Sequence, residues 1–288
     1  MDLTVLEFLA APFVASLILT GIHAYLGVHV VERGVIFVDL SLAQIAALGA
    51  TIALLMPFSG GDPHAPSVYW VSLVFTFIGA AIFSMIRVRN GRIPQEAIIG
   101  ICYAVASAAS ILAMSKATSE SEHLKDMLVG NILAVSWHEV FKTALLYGAI
   151  GLFHYLFRKP FLAISMSHGN PDATGLNYRW WDFLFYASFG FVVTSSVAIA
   201  GVLLVFCYLI VPSVAAMMYA ENIGPRLAIG WTMGTVVSAL GVWLSLLLDL
   251  PTGATIVCTF GLVLVLMAAI RPMIKKEASR RSLVTTID

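Results

Sequence analysis

The chain has 288 residues, is 60% hydrophobic and only 11% charged, and has a mean hydropathy of +0.93. A soluble domain carries about 25% charged residues, so this is an α-helical membrane protein rather than a soluble one. The formal net charge is zero, which leaves no basic face for nucleic acid and no acidic tail.

Apolar runs and their breakers predict an all-α, polytopic chain of eight spans. The first runs from Phe8 to Val31, the second from Val35 to Met56, the third from Val68 to Ile86 and the fourth from Ala97 to Met114. The fifth covers Glu139 to Phe157. Asp182 to Ala220 is apolar for 39 residues, about 58 Å as a straight helix and too long for one upright crossing. It is read as a full span followed by a shorter, kinked return through Gly201 and Pro212, which makes nine spans if the broken half is scored separately. Leu227 to Leu248 and Thr252 to Ile270 are the last two. Residues 1–274 thus form the membrane domain and 275–288 a short cytoplasmic tail.

No Lys or Arg precedes Arg33, and the first apolar run is too long for a signal-peptide core, so no cleavable leader is expected. All but Lys116, Lys125 and Lys142 of the 16 Lys and Arg fall in loops that alternation places on one side, provided the Gly201–Pro212 segment returns. The positive-inside rule makes that side cytoplasmic, with the N-terminus outside and the C-terminus inside.

The three cysteines, Cys102, Cys207 and Cys258, lie inside apolar runs without CxxC spacing, which argues against disulfides or a zinc knuckle. No GxxxxGK[ST] phosphate loop, HExxH or GxSxG occurs, so the chain neither hydrolyses ATP by the P-loop route nor shows a catalytic motif. His138–Glu139 is the nearest acid/base pair, but adjacent residues do not face each other on a helix. Transport is the leading class. The alternatives are a stand-alone channel or secondary transporter, and an intramembrane enzyme.

Four stretches, in order, are RGVIFVDLSLAQIAALGATIALL from Arg33, LKDMLVGNILAVS from Leu124, ISMSHGNPDATGLNYRWWDFLFY from Ile164 and GVLLVFCYLIVPSVAAMM from Gly201. DLPTGATIV from Asp249 follows. Together they resemble the permease subunit of ABC importers for divalent metals such as zinc, manganese and iron. The resemblance implies a homodimer in a bacterial inner membrane. It would be driven by a separate cytoplasmic ATPase and supplied by an extracytoplasmic metal-binding protein. The metal is substrate, and no cofactor is expected on this chain. The resemblance also implies a coupling helix for the ATPase in the segment with Pro212, Glu221 and Arg226, where an ordinary short loop is the bland alternative.

The polar residues in the spans carry two readings each. Asp39, about 7 Å from the cytoplasmic interface if its helix starts near Gly34, is either a contact for the metal or a polar group near a helix end. The family pattern on this helix pairs an Asp with a His four positions later. Here Gln44 takes the His position when the run is aligned on Gly49, and an amide is a weak ligand for zinc and its neighbours. Gln44 serves either the pathway or an interhelical hydrogen bond. His23 is a substitute ligand or a hydrogen-bonded structural histidine, and His29 reads as interfacial with Glu32 and Arg33. Asp62 and His64, in a Pro/Gly-rich external loop, are candidates for receiving the metal or parts of a turn. Glu120, Glu122, His123 and Asp126 form an external acidic patch, while His154 and His168 take no assigned role.

Overall fold

A computed structural model describes residues 3–59, 65–86, 94–115, 132–167 and 174–285. Nine α-helices and two short 3-10 turns follow one another there, with no strand among the described residues. They are α1 (Leu3–Arg33), α2 (Val38–Leu55), α3 (Pro66–Ile86), α4 (Gln95–Met114), α5 (Trp137–Leu156), α6 (Arg158–Ser165), α7 (Tyr178–Tyr219), α8 (Ile223–Leu248) and α9 (Thr252–Thr285). Seven are long and apolar enough to cross a membrane, and α5 with α6, bent by 78° at their junction, makes an eighth candidate if the pair is one span. All-helical construction is what a bilayer demands, because every backbone N–H and C=O must be satisfied within its own segment.

The 42-residue α7 is the organising element. Its helical dihedrals are interrupted at Gly201, with φ 75° and ψ 160°, a region open essentially to glycine alone. Side-chain partners reveal the direction of each arm. Along residues 178–200, Asp182 meets Arg33, Ser188 meets His154, Ser196 meets Tyr147 and Ile199 packs with Ala11 and Ala15. This arm runs from the Arg33 end of α1 to the opposite end. Beyond Gly201, Ser213 reaches Ala24, and the carbonyl of Ala220 accepts from Arg226, which pairs with Glu32. The second arm therefore comes back to the Arg33 end, as the apolar length requires.

One expectation fails here. Pro212 does not break the chain; it sits inside the continuing second arm, which stays helical to Tyr219. Proline is tolerated in membrane helices, and here the helix runs through it, with Ser213 Oγ beside it donating to the Leu209 carbonyl at 2.8 Å. The second arm also approaches α1 unusually closely. A Cβ on Gly27 would lie 1.9 Å from the Leu209 carbonyl oxygen, so only glycine fits at that crossing.

Other boundaries follow local chemistry. α5 starts at Trp137 because Ser136 and Glu139 form a capping box: the Glu139 amide donates to Ser136 Oγ at 3.3 Å, and the Ser136 amide donates to Glu139 Oε2 at 2.8 Å. Glu139 is thus a cap, not half of an acid/base pair. α8 starts at Ile223, four residues before the expected Leu227, and α9 continues through the expected tail to residue 285.

Two thirds of the apolar window of α1 and of α7 is buried, against 17% for α4 and for α9. The core therefore runs along α1, α2 and both arms of α7, with α4 and α9 at the periphery. Arg33, Arg158, Lys159, Arg179, Arg226 and Arg271 all lie toward one end of the bundle, and Lys142 toward the other.

Candidate functional site

The densest polar construction lies inside the bundle near the Arg33 end. Arg33, at the last turn of α1, donates from Nη1 to Asp182 Oδ1 at 2.5 Å and from Nε to Ser165 Oγ at 2.9 Å. Its guanidinium carbon lies 4.0 Å from the Phe185 ring centre, and both ion-pair side chains are almost wholly buried. Taking one member of such a pair away leaves an uncompensated charge and costs about 3–5 kcal/mol.

Histidines extend this network. Ser165 Oγ already accepts from Arg33, so its own proton is available to His29 Nδ1 at 2.8 Å, and the ring then carries its hydrogen on Nε2. Ser188 donates to the Phe185 carbonyl at 3.0 Å and accepts from His154 Nε2 at 2.8 Å. His154 Nδ1 is left to accept from the Tyr25 hydroxyl at 3.4 Å. Phe161 of α6 stacks on His154 with centroids 4.3 Å apart. Three helices, α1, α5 and α7, are thereby joined to the short α6 through polar atoms removed from water.

Each sequence-predicted residue has a definite place. Asp39 lies in the first turn of α2, which begins at Val38 because residues 34–37 form a turn opening on Gly34 at φ 67°. It is only 2% exposed, and its Oδ1 has no hydrogen-bond partner. A helix N-terminus favours a carboxylate there. Gln44 is buried on the same helix, five residues and about 140° further round, so the two do not share a face. His23 is fully buried on α1, donating from Nδ1 to the Leu19 carbonyl at 2.8 Å and standing edge-on to Tyr147. Its Nε2 has no partner. Among the described residues no three His, Cys, Asp or Glu side chains are grouped to hold a metal. Asp62, His64 and the acidic patch at 120–126 lie outside the described residues, as does His168.

In the expected coupling segment, no separate helix stands between α7 and α8. The connection is residues 220–222, a turn on which Glu221 is exposed. Arg226 staples that turn to α1: its Nε donates to the Ala220 carbonyl at 3.0 Å and its guanidinium pairs with Glu32. Pro212 is buried two turns deeper, its carbonyl facing Gly230 of α8.

Sequence reasoning missed the interior network. His29 is fully buried and bonded to Ser165, and His154, to which no role was assigned, is one of its hubs. A signal was present: Asp182 opens an apolar run and Arg33 closes one, and an intramembrane acid calls for a named partner.

The architecture is that of a membrane-spanning transport subunit with a reversed, glycine-broken helix at its centre. The chain matches the ABC 3 transport family over residues 5–271 and belongs to it. It is 24% identical over 258 residues to the manganese transport system membrane protein MntC of Listeria monocytogenes, covering 87% of this chain and 86% of that one. It is likewise 24% identical over 243 residues to the chelated iron transport system membrane protein YfeC of Yersinia pestis, covering 84% and 79%. PsaBC from Streptococcus pneumoniae, solved in complex with a Fab, shares the fold with a TM-score of 0.73 at 23% identity, over 91% of each chain. The chain is a multi-pass inner-membrane permease of an ABC transporter, a family that implies ATPase and substrate-binding partners, and not itself an enzyme.

Proposed function

We propose that two copies of this chain form the translocation pathway of an importer for a divalent metal such as manganese, iron or zinc. A separate cytoplasmic ATPase would drive it, and an extracytoplasmic metal-binding protein would deliver the ion. The observation that carries this reading is the family match along nearly the whole chain, joined to relatives named for manganese and for chelated iron. The grouping of Arg33, Arg158, Lys159, Arg179, Arg226 and Arg271 toward one end supports a cytoplasmic assignment for that end, with the N-terminus outside.

A permease without its own nucleotide site takes work from its partner through a surface at that end. The turn carrying Glu221 suits this role, because Arg226 ties it to Glu32 at the end of α1, and Pro212 lies in the arm directly above it. A push on the turn is delivered to both α7 and α1. Asp39 is the pathway carboxylate in this reading, with Gln44 and His23 as further pathway groups, and Asp62 and His64 receiving the ion outside. The chain itself retains no cofactor; the metal is substrate.

Elemental analysis of cells lacking this chain tests the substrate, with uptake of manganese, zinc and iron measured in parallel. Uptake of at least one is expected to fall several-fold and to recover on re-expression. No change in any of the three would remove the metal assignment.

A further inference from the structure

At Phe157 the chain turns through 78°, so α6 leaves the end of α5 almost at right angles to it. α6 is fixed from inside: Phe161 and Ile164 are fully buried, and Ser165 accepts from Arg33. The other side of the helix faces out, where Arg158 and Lys159 are exposed. Arg158 lies with its guanidinium carbon 4.6 Å from the ring centre of Tyr155, on the last turn of α5. Tyr155, Leu152 and Leu156 are 63%, 58% and 66% exposed, giving α5 an apolar outer face that ends at these cations.

A second strip of chain reaches the same elbow. Trp181 of α7 packs 5.7 Å from Phe157 and 5.5 Å from Phe161. That contact brings the first turn of α7, with exposed Arg179 and Trp180, beside α6. Arg33 and Arg226 each have a carboxylate, whereas among the described residues none pairs with Arg158, Lys159 or Arg179. Three exposed cations and an exposed indole, set just past an apolar helix face, complement a headgroup that carries negative charge above acyl chains.

We propose that this elbow binds the headgroup of an anionic phospholipid. The lipid phosphate sits among Arg158, Lys159 and Arg179, Trp180 lies at headgroup level, and the acyl chains run along the outer face of α5. Stacking on Tyr155 holds the Arg158 plane while leaving its N–H edge free for phosphate oxygens. The site would also anchor α6, which the interior network ties to α1 and α7.

The test uses the full chain in detergent with equal phosphatidylglycerol and phosphatidylcholine, the retained lipid being read by native mass spectrometry. Each basic residue near an anionic surface contributes about fivefold. The triple variant Arg158→Gln/Lys159→Gln/Arg179→Gln is therefore expected to lose phosphatidylglycerol preference by about tenfold or more. Lys142→Gln, toward the opposite end, and the charge-keeping variant Arg158→Lys/Lys159→Arg/Arg179→Lys are both expected to retain most of it. The second of these separates charge loss from misfolding. Equal phosphatidylglycerol retention by the triple glutamine variant would overturn the proposal. So would unchanged lipid retention accompanied by loss of the co-purifying ATPase, which would make the elbow a protein-docking surface.

Discussion

α1 and α9 are both membrane helices, yet they solve opposite problems. α9 is the more apolar of the two, although only 17% of its membrane window is buried in the protein. α1 has two thirds of its window buried, and carries Ser16, Thr20, His23, His29 and Arg33. In water the more apolar helix would be the inner one. In a bilayer lipid tails are as apolar as leucine, so burial brings no hydrophobic gain and the interior is where polar groups find partners. Glycine, serine and histidine on α1 make close approaches and hydrogen bonds, while Leu262, Val265 and Leu266 on α9 face outward.

This contrast can be broken by substitutions of graded effect. The largest is expected at Asp182→Asn, which strands Arg33 in the interior and costs about 3–5 kcal/mol. Thermal unfolding in detergent should show it, and the double variant Arg33→Met/Asp182→Leu should recover most of the loss. If the single variant unfolds like the wild type, the ion pair is not a structural centre of α1. Next comes Gly27→Ala, whose Cβ would collide with the Leu209 carbonyl. Overpacking of this kind costs about 1–3 kcal/mol, and a backbone atom cannot rotate out of the way. Gly201→Ala follows at about 1–3 kcal/mol, since alanine strains at φ 75° and ψ 160°. Ser136→Ala removes the cap of α5 for about 1 kcal/mol. The smallest change is Val265→Ala on α9, expected within about 0.5 kcal/mol in the same unfolding assay. A Val265→Ala loss as large as that of Gly27→Ala would sink the division into inner and outer helices.

How much of this was legible in the sequence depends on whether the cause is local. The spans were, because hydropathy and length are local quantities, and a return through Gly201 and Pro212 followed from a 39-residue apolar stretch that no upright crossing can hold. Pro212 misled because a proline inside a membrane helix need not end it, and here the second arm stays helical through it to Tyr219. The Ser136–Glu139 box was readable as S-x-x-E, yet its glutamate drew notice only through its neighbour His138. Arg33 with Asp182, and His29 with Ser165, are 149 and 136 residues apart, and no periodicity couples positions so distant. Asp39 stood out from sequence as a costly carboxylate, but its unpartnered Oδ1 appears only with the fold.

The central claim is that this chain is the passive pathway of a metal importer whose work comes from another subunit. Reconstitution in liposomes tests it directly, with manganese, zinc and iron uptake measured for the chain alone and for the chain with its ATPase. ATP-dependent accumulation of at least one metal is predicted when the ATPase is present, with none by the chain alone. Equally fast accumulation by the chain without its ATPase would contradict the claim and make the protein a self-sufficient transporter.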